Sequence, residues 1–281
     1  MTPLDLPAIN ARLRACHPLV QNITNTVVQQ FSANVLLAIG AAPAMFDHPA
    51  DAAQFARIAD ALLVNFGTAT NGQLLAADAA IAAAAGAGKP WVLDPVSFGA
   101  GDFRTQRIRQ VLARRPTVVR GNASEIMALA GTGAGARGVD ATDAVEAALP
   151  AAVTLARQTG GVVAVSGATD LVVAILHGQV RVARIAGGSA LMALVVGTGC
   201  ALGSAVAAYL GAIEADRDAV GEARFDATVA AHAHFALAGS LAAERARSPG
   251  SFAVAFLDAL YETKPADFSR AKIALETRDQ P

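Results

Sequence analysis

Short apolar runs alternate with segments of helical periodicity along most of the chain. Residues 18–23 form a first apolar run. Asn25 is the predicted cap of a helix with Val28, Phe31, Val35 and Leu36 on one side and Gly40 as its stop. A short buried run at 42–45, a helix at 50–59 and a strand at 61–66 (ALLVNF) follow, the strand ending at Gly67. Asn71 opens a long alanine-rich helix that ends near Gly86 and Gly88, and residues 91–93 are a strand running into Asp94-Pro95. The pattern then predicts a helix over 104–114 burying Ile108, Val111 and Leu112, a strand at 117–119 and a short helix at 124–130. After a glycine loop at 131–138, Asp140 or Thr142 caps a helix reaching about Gln158, which Pro150 kinks or splits. Strands at 161–165, 171–176 and 180–185 follow, with HGQ at 177–179 joining the last two as a hairpin. The apolar run at 191–196 reads as a strand leading through glycines into a helix from Thr198 to about Leu210. Helices at 225–245 and 251–261 come next, and the polar last twenty residues are expected to be partly mobile.

Strand–helix alternation, antiparallel additions and a helical end predict an α/β fold. Its central, mostly parallel sheet is flanked by helices on both faces. Residues 1–281 show no linker or composition break and read as a single domain. Residues 185–213 carry no charge and are long enough to cross a bilayer, but their glycines, Ser189, Thr198 and Ser204 favour a strand, a turn and a buried helix, hence no membrane. Hydrophobic residues make up 54% and charged residues 16%, which excludes disorder. A net charge of -1 gives no ground for a nucleic-acid partner. The first residues lack a secretory pattern, which points to a cytoplasmic protein with Cys16 and Cys200 reduced.

In such sheets ligands sit at the carboxyl ends of strands, and the candidate chemistry lies there. GTGC at 197–200 opens a helix, where glycines let backbone N–H groups converge and the dipole favours an anion. Cys200 at that terminus is expected to lean toward thiolate, as base or nucleophile; the bland alternative is a small buried cysteine. Asp94 is either a Mg²⁺ or water ligand or a helix cap. Arg120 offers a fork for phosphate, Asn122 a helix cap, and Glu125 a first-turn acid or a second acid near a metal. Ser166-Gly167 either touches phosphate or ends a strand, and Met45 is either core or ligand contact. His232 and His234, at i and i+2 on a helix, face apart and make no metal site.

VQNITN (20–25), residues 33–45, IADALLVNFGT (58–68), GKPWVLDPV (88–96), RPTVVRGNASEIMALAG (115–131) and VVGTGC (195–200) occur in this order. Together they resemble the hydroxyethylthiazole kinase family, from about His17 to about Leu260. The resemblance implies a ribokinase-like fold and transfer of the γ-phosphoryl group of ATP, with Mg²⁺, to 4-methyl-5-(2-hydroxyethyl)thiazole in thiamine salvage. It implies a homotrimer with sites near subunit contacts. It also implies that Asn25, Met45, Gly67 and Gly197 line the thiazole pocket, that Arg120 and Ser166 contact ATP, and that Asp94 and Glu125 help hold the metal. Cys200 stands where related sugar kinases have an aspartate base.

Ser97 and Phe98 depart from the family's small residues, often Gly first; Val196 stands for a common Thr, and Ser166 for a frequent Thr. The competing readings are another ribokinase-like small-alcohol kinase, covalent chemistry at Cys200, and a thiazole-binding protein that has lost catalysis.

Overall fold

Strand β3 (Ala61–Asn65) is buried at every position, as a parallel strand covered on both faces must be. Its side chains alternate between two cores: Leu63 joins one apolar cluster, while Leu62 and Val64 join the other. The computed structural model describes residues 4–132, 145–213 and 219–279. Around β3 lie β1 (Leu19–Ile23), β2 (Ala42–Ala44), β4 (Trp91–Asp94), β5 (Val118–Asn122), β6 (Val162–Ser166), β7 (Thr169–Leu176), β8 (Gln179–Ala186) and β9 (Lys272–Asp279). They form a nine-stranded sheet in the order β2-β1-β3-β4-β5-β6-β7-β8-β9. Pairing is parallel as far as β6 and antiparallel beyond it.

Helices α1 (Leu6–Cys16), α2 (Gln29–Ile39), α8 (Thr198–Gly211), α9 (Val220–Arg245) and α10 (Pro249–Glu262) pack in the first cluster. Helices α3 (Pro49–Ile58), α4 (Asn71–Gly86), α5 (Asp102–Leu112), α6 (Ala123–Leu129) and α7 (Leu149–Thr159) pack in the second. The expected mostly parallel sheet with helices on both faces is therefore present. Among the described residues no helix is long and apolar enough to cross a membrane.

Several local expectations hold for stated reasons. Pro150 lies in the first turn of α7, so the helix restarts at Leu149 and proline's missing N–H is tolerated. His177 (φ 50°) and Gly178 (φ 78°) close the β7–β8 hairpin, both in the left-handed region that a two-residue turn of this hand needs. The glycine loop beyond Thr132 and the caps at Asp140 or Thr142 lie outside the described residues.

Three expectations are corrected. The apolar run at 191–196 is not a strand; Ala190–Leu194 is a 3₁₀ turn begun by Ser189, whose side chain accepts from Leu191 N. The polar tail is not loose: Lys272–Asp279 pairs along the whole of β8 as an edge strand, its charges suited to an open edge. Helix α1 was not legible, because few of its positions are buried; Asp5 caps it and Pro7 lies in its first turn.

His232 and His234 indeed face different neighbours. His234 lies in a buried chain: Asn10 Nδ2 donates to Tyr209 Oη (2.7 Å), Tyr209 donates to His234 Nδ1 (2.9 Å), and His234 Nε2 donates to the Leu260 carbonyl (3.0 Å). Burial, aided by the nearby Arg14 charge, drives the His234 pKa down to about 3. The unfolded chain therefore takes up this proton first as pH falls below 6.5, and the folded state loses stability through that window down to about 3. Compared by urea titration, wild type and His234→Leu should differ by about 2 kcal/mol less at pH 5 than at pH 7. A gap that stays constant with pH defeats this account.

Candidate active site

Five parallel strands end on the same side of the sheet, and each delivers a polar group there. Asn25 follows β1, Asn65 ends β3, Asp94 ends β4, Arg120 lies in β5 and Ser166 ends β6. Neighbouring register sets Asn65 beside Asp94, and Asn122 beside Ser166. The N-terminus of α8 closes over these strand ends. Gly203, one turn inside it, lies so near the sheet that a Cβ there would stand 3.2 Å from Leu63 and 3.4 Å from Asp94 Oδ2.

The N–H of Ala201 bonds to the Gly197 carbonyl at 2.8 Å, and that of Thr198 to the Val195 carbonyl at 3.4 Å. The N–H groups of Gly199 and Cys200 find no acceptor among the described residues, as the first turn of a helix dictates. Arg120 stands against this turn: a Cβ on Gly199 would be 3.2 Å from both terminal nitrogens of its guanidinium. Gly197 has φ +98° and packs on Val28 and Phe31. Two open N–H groups, a helix dipole and a guanidinium thus converge on one spot, a site for an anion.

Arg120 is held from two sides. Nη1 lies 3.4 Å from Asp94 Oδ2, and Nη2 donates to Ser166 Oγ. Desolvation pushes the Asp94 pKa up to about 6; Arg120 opposes the rise and Glu125 adds to it. Asp94 Oδ1 is buried without a hydrogen-bond partner. Among the described residues no three His, Cys, Asp or Glu side chains group to hold a metal by themselves. One free carboxylate oxygen beside a phosphate site does suit Mg²⁺, which is commonly held by one or two carboxylates plus phosphate oxygens. Glu125 is more engaged: Oε2 accepts from Asn122 N (2.9 Å) in a capping box, and Oε1 from Ser97 N (2.8 Å). Ser97 sits at φ 58°, a left-handed position that favours glycine, while Phe98 is buried in the second core.

The cap predicted at Asn25 is not made. Helix α2 begins at Gln29 behind Val28, with no side-chain cap. Asn25 Nδ2 instead donates to Asn65 Oδ1 (2.9 Å) and to Cys200 Sγ (3.4 Å). Asn65 Oδ1 also accepts from Gly67 N (3.0 Å). The thiolate expected at Cys200 is corrected as well. Burial first, and the Asp94 charge second, push the thiol pKa above its ordinary value, so the helix terminus does not prevail and Cys200 is a thiol. Among the described residues no histidine is one of the groups that act on it, so the histidine that commonly activates a covalent cysteine is not paired with it there.

Met45 is half-buried just after edge strand β2, with β1 between that strand and β3. Its loop is tied to β1 by Gln21 Nε2, which donates to the Phe46 carbonyl at 2.9 Å. Two members of the site escaped the sequence reading. Asn65 is buried with Nδ2 unpartnered beside the thiol; a lone amide ending the apolar ALLVNF run was the available signal. Arg104 donates to the Gly67 carbonyl (2.9 Å) and bonds to that of Phe66, and nothing in its local sequence marks this.

A family model described as the hydroxyethylthiazole kinase family matches residues 11–265. The chain belongs to that family. It is 54% identical over 246 residues to the hydroxyethylthiazole kinase of Corynebacterium glutamicum strain R, covering 87% of this chain and 88% of the relative. The enzyme of that name from Klebsiella pneumoniae is 52% identical over 262 residues, covering 93% and 97%. The solved hydroxyethylthiazole kinase of Pyrococcus horikoshii superposes with a TM-score of 0.85 at 34% identity, covering 96% of this chain and 98% of that one. Pyridoxal kinase from Staphylococcus aureus shares the ribokinase-like fold at a TM-score of 0.55 and 15% identity, covering 80% and 88%.

Proposed function

We propose that the chain, as one catalytic domain over residues 1–281, transfers the γ-phosphoryl group of ATP to the hydroxyl of 4-methyl-5-(2-hydroxyethyl)thiazole. The observation that carries this reading is Arg120 lying against the open N–H groups of Gly199 and Cys200. Phosphoryl transfer asks chiefly for positioning and for charge stabilisation on the phosphoryl oxygens. Arg120 and Ser166 bind the nucleotide phosphates, and the two open N–H groups meet the charge on the transferred group. Asn25, Met45, Gly67 and Gly197 line the thiazole side, where Asn25 also fixes the thiol. The new O–P bond forms at the alcohol as the bond from the γ-phosphorus to the bridging oxygen of ADP breaks. In a loose transition state the alcohol keeps its proton until late and passes it to an oxygen of the transferred phosphoryl group, and from there to solvent, as the O–P bond completes, so a neutral Cys200 serves to orient the hydroxyl.

Asp94, through its unpartnered Oδ1, and Glu125 would hold Mg²⁺. The bound ion supplies charge neutralisation on the phosphates. We further place the enzyme in the cytoplasm as a homotrimer. The exposed apolar side chains Val27, Leu37, Leu194, Val196 and Val254, on or beside α2, the 3₁₀ turn and α10, support such an assembly.

The test is to incubate the purified protein with ATP, Mg²⁺ and the thiazole alcohol, alongside a panel of pyridine, pyrimidine and sugar alcohols, and to detect phosphorylated products by mass spectrometry. The thiazole phosphate is the expected dominant product. Product from another alcohol and none from the thiazole defeats the substrate assignment.

A further inference from the structure

The loop from Ser166 to Asp170 joins β6 to β7 beside the anion site. Gly167 and Ala168 in it are exposed, so packing does not hold them. Its shape is set by one carboxylate. Asp170 Oδ1 accepts from Gly167 N at 2.8 Å, and Asp170 Oδ2 accepts from His232 Nδ1 at 2.7 Å. His232 lies on α9, in the opposite layer of the fold from α6 and α7, and its ring is fully buried. Its other nitrogen has no partner among the described residues, so among them the carboxylate is the ring's whole polar engagement. A continuous path therefore runs from His232 through Asp170 to the Gly167 N–H, then along one peptide to Ser166, whose Oγ accepts from Arg120. Because Gly167 N is committed to Asp170, the loop's groups left to meet phosphate are led by the Ser166 hydroxyl.

We propose that Asp170, oriented by His232, is a positioning residue for nucleotide binding, holding the Ser166–Gly167 turn so that Ser166 and Arg120 face the N-terminus of α8. This rests on the assignment of Arg120 and Ser166 to the nucleotide phosphates made above. Asp170 touches no substrate in this account. Its effect falls on the phosphate side and leaves the thiazole side, assigned above to Asn25, Met45, Gly67 and Gly197, untouched.

The experiment measures ADP binding to the full chain with Mg²⁺ by calorimetry, together with KM for ATP and for the thiazole alcohol. Asp170→Ala should raise the ADP Kd and the ATP KM by about tenfold, the scale of one or two charge-assisted hydrogen bonds, with the thiazole KM within about twofold. His232→Leu should act the same way, whereas His232→Gln, which keeps a donor, should restore most of the affinity. Should Asp170→Ala fold poorly, Asp170→Asn retains the Gly167 contact and should give a smaller shift of the same kind. An unchanged ADP Kd in the folded variants, or equal rises in both KM values, overturns the inference. Wild type that binds ADP but does not phosphorylate the thiazole removes the proposed acceptor and leaves this inference to be decided by the Kd values. Wild type that binds no ADP overturns both.

Discussion

Replacing Arg120 by Met should lower kcat about 10³-fold, the scale found when a positioned donor or cation is taken from a transition state. The guanidinium lies against the α8 N-terminus and 3.4 Å from Asp94 Oδ2. Asp94 is already raised to about 6 by burial, with Arg120 opposing the rise. Without that countercharge the carboxyl pKa rises further and a larger fraction is neutral near pH 7, which weakens the negative charge at Oδ1. The variant thus loses the phosphate contact and weakens the acid in one step. Met keeps most of the alkyl stem, so packing against α8 is largely preserved. Arg120→Lys should be intermediate, because an ammonium cannot bridge Asp94 and Ser166 as a fork does. Steady-state kcat with a thermal melt as folding control decides it. A folded Met variant within tenfold of wild type would remove Arg120 from the mechanism.

Gly67→Ala is expected to be the most damaging single methyl group in the site. A Cβ there would stand 2.7 Å from both Cβ and Nδ2 of Asn25. The clash with Cβ cannot be relieved by rotating the Asn25 side chain, since that atom is fixed by its backbone. Asn25 is 5% exposed and has nowhere to move as a unit. The backbone after β1 or β3 must shift, and with it the bonds from Asn25 to Asn65 and Cys200. Overpacking of this kind destabilises by about 1–3 kcal/mol. A displacement near 1 Å on the acceptor side should raise the thiazole KM or lower kcat by about 10²-fold. Gly101→Ala is the control, since a Cβ there meets nothing within 4 Å. Equal behaviour of the two variants would show that the Gly67–Asn25 contact does not shape the pocket.

The strands were legible because a doubly covered parallel sheet writes its own signal: ALLVNF, WVLD and GVVAV are apolar on both faces and end on polar groups. That pattern also picked out Asp94, Arg120 and Ser166, which follow from where the apolar runs stop and which the fold brings together. The cap at Asn122 was legible for the same local reason, while the return bond from Glu125 that completes a capping box came from the structure. The edge strand β9 was not, because an open polar edge leaves no hydrophobic period. Nor was the 3₁₀ turn after Ser189, where an apolar run of six residues, 191–196, fits strand and turn equally.

By itself, then, the sequence determined the layer architecture, the end of the sheet that carries the site and the family. These depend on periodicity and on motifs read within a few residues. Tertiary structure alone decided that Asn25 bonds to Asn65 and Cys200 rather than capping α2, because its partner Asn65 is 40 positions away and competes with the local cap. It decided that Cys200 is a thiol, because the balance between helix dipole and desolvation depends on what covers the sulfur. It also joined His232 to Asp170, beside the β6–β7 turn, across 62 positions. Hydrogen bonds and burial between distant segments have no one-dimensional period, and only the folded packing shows which of several competing partners is taken.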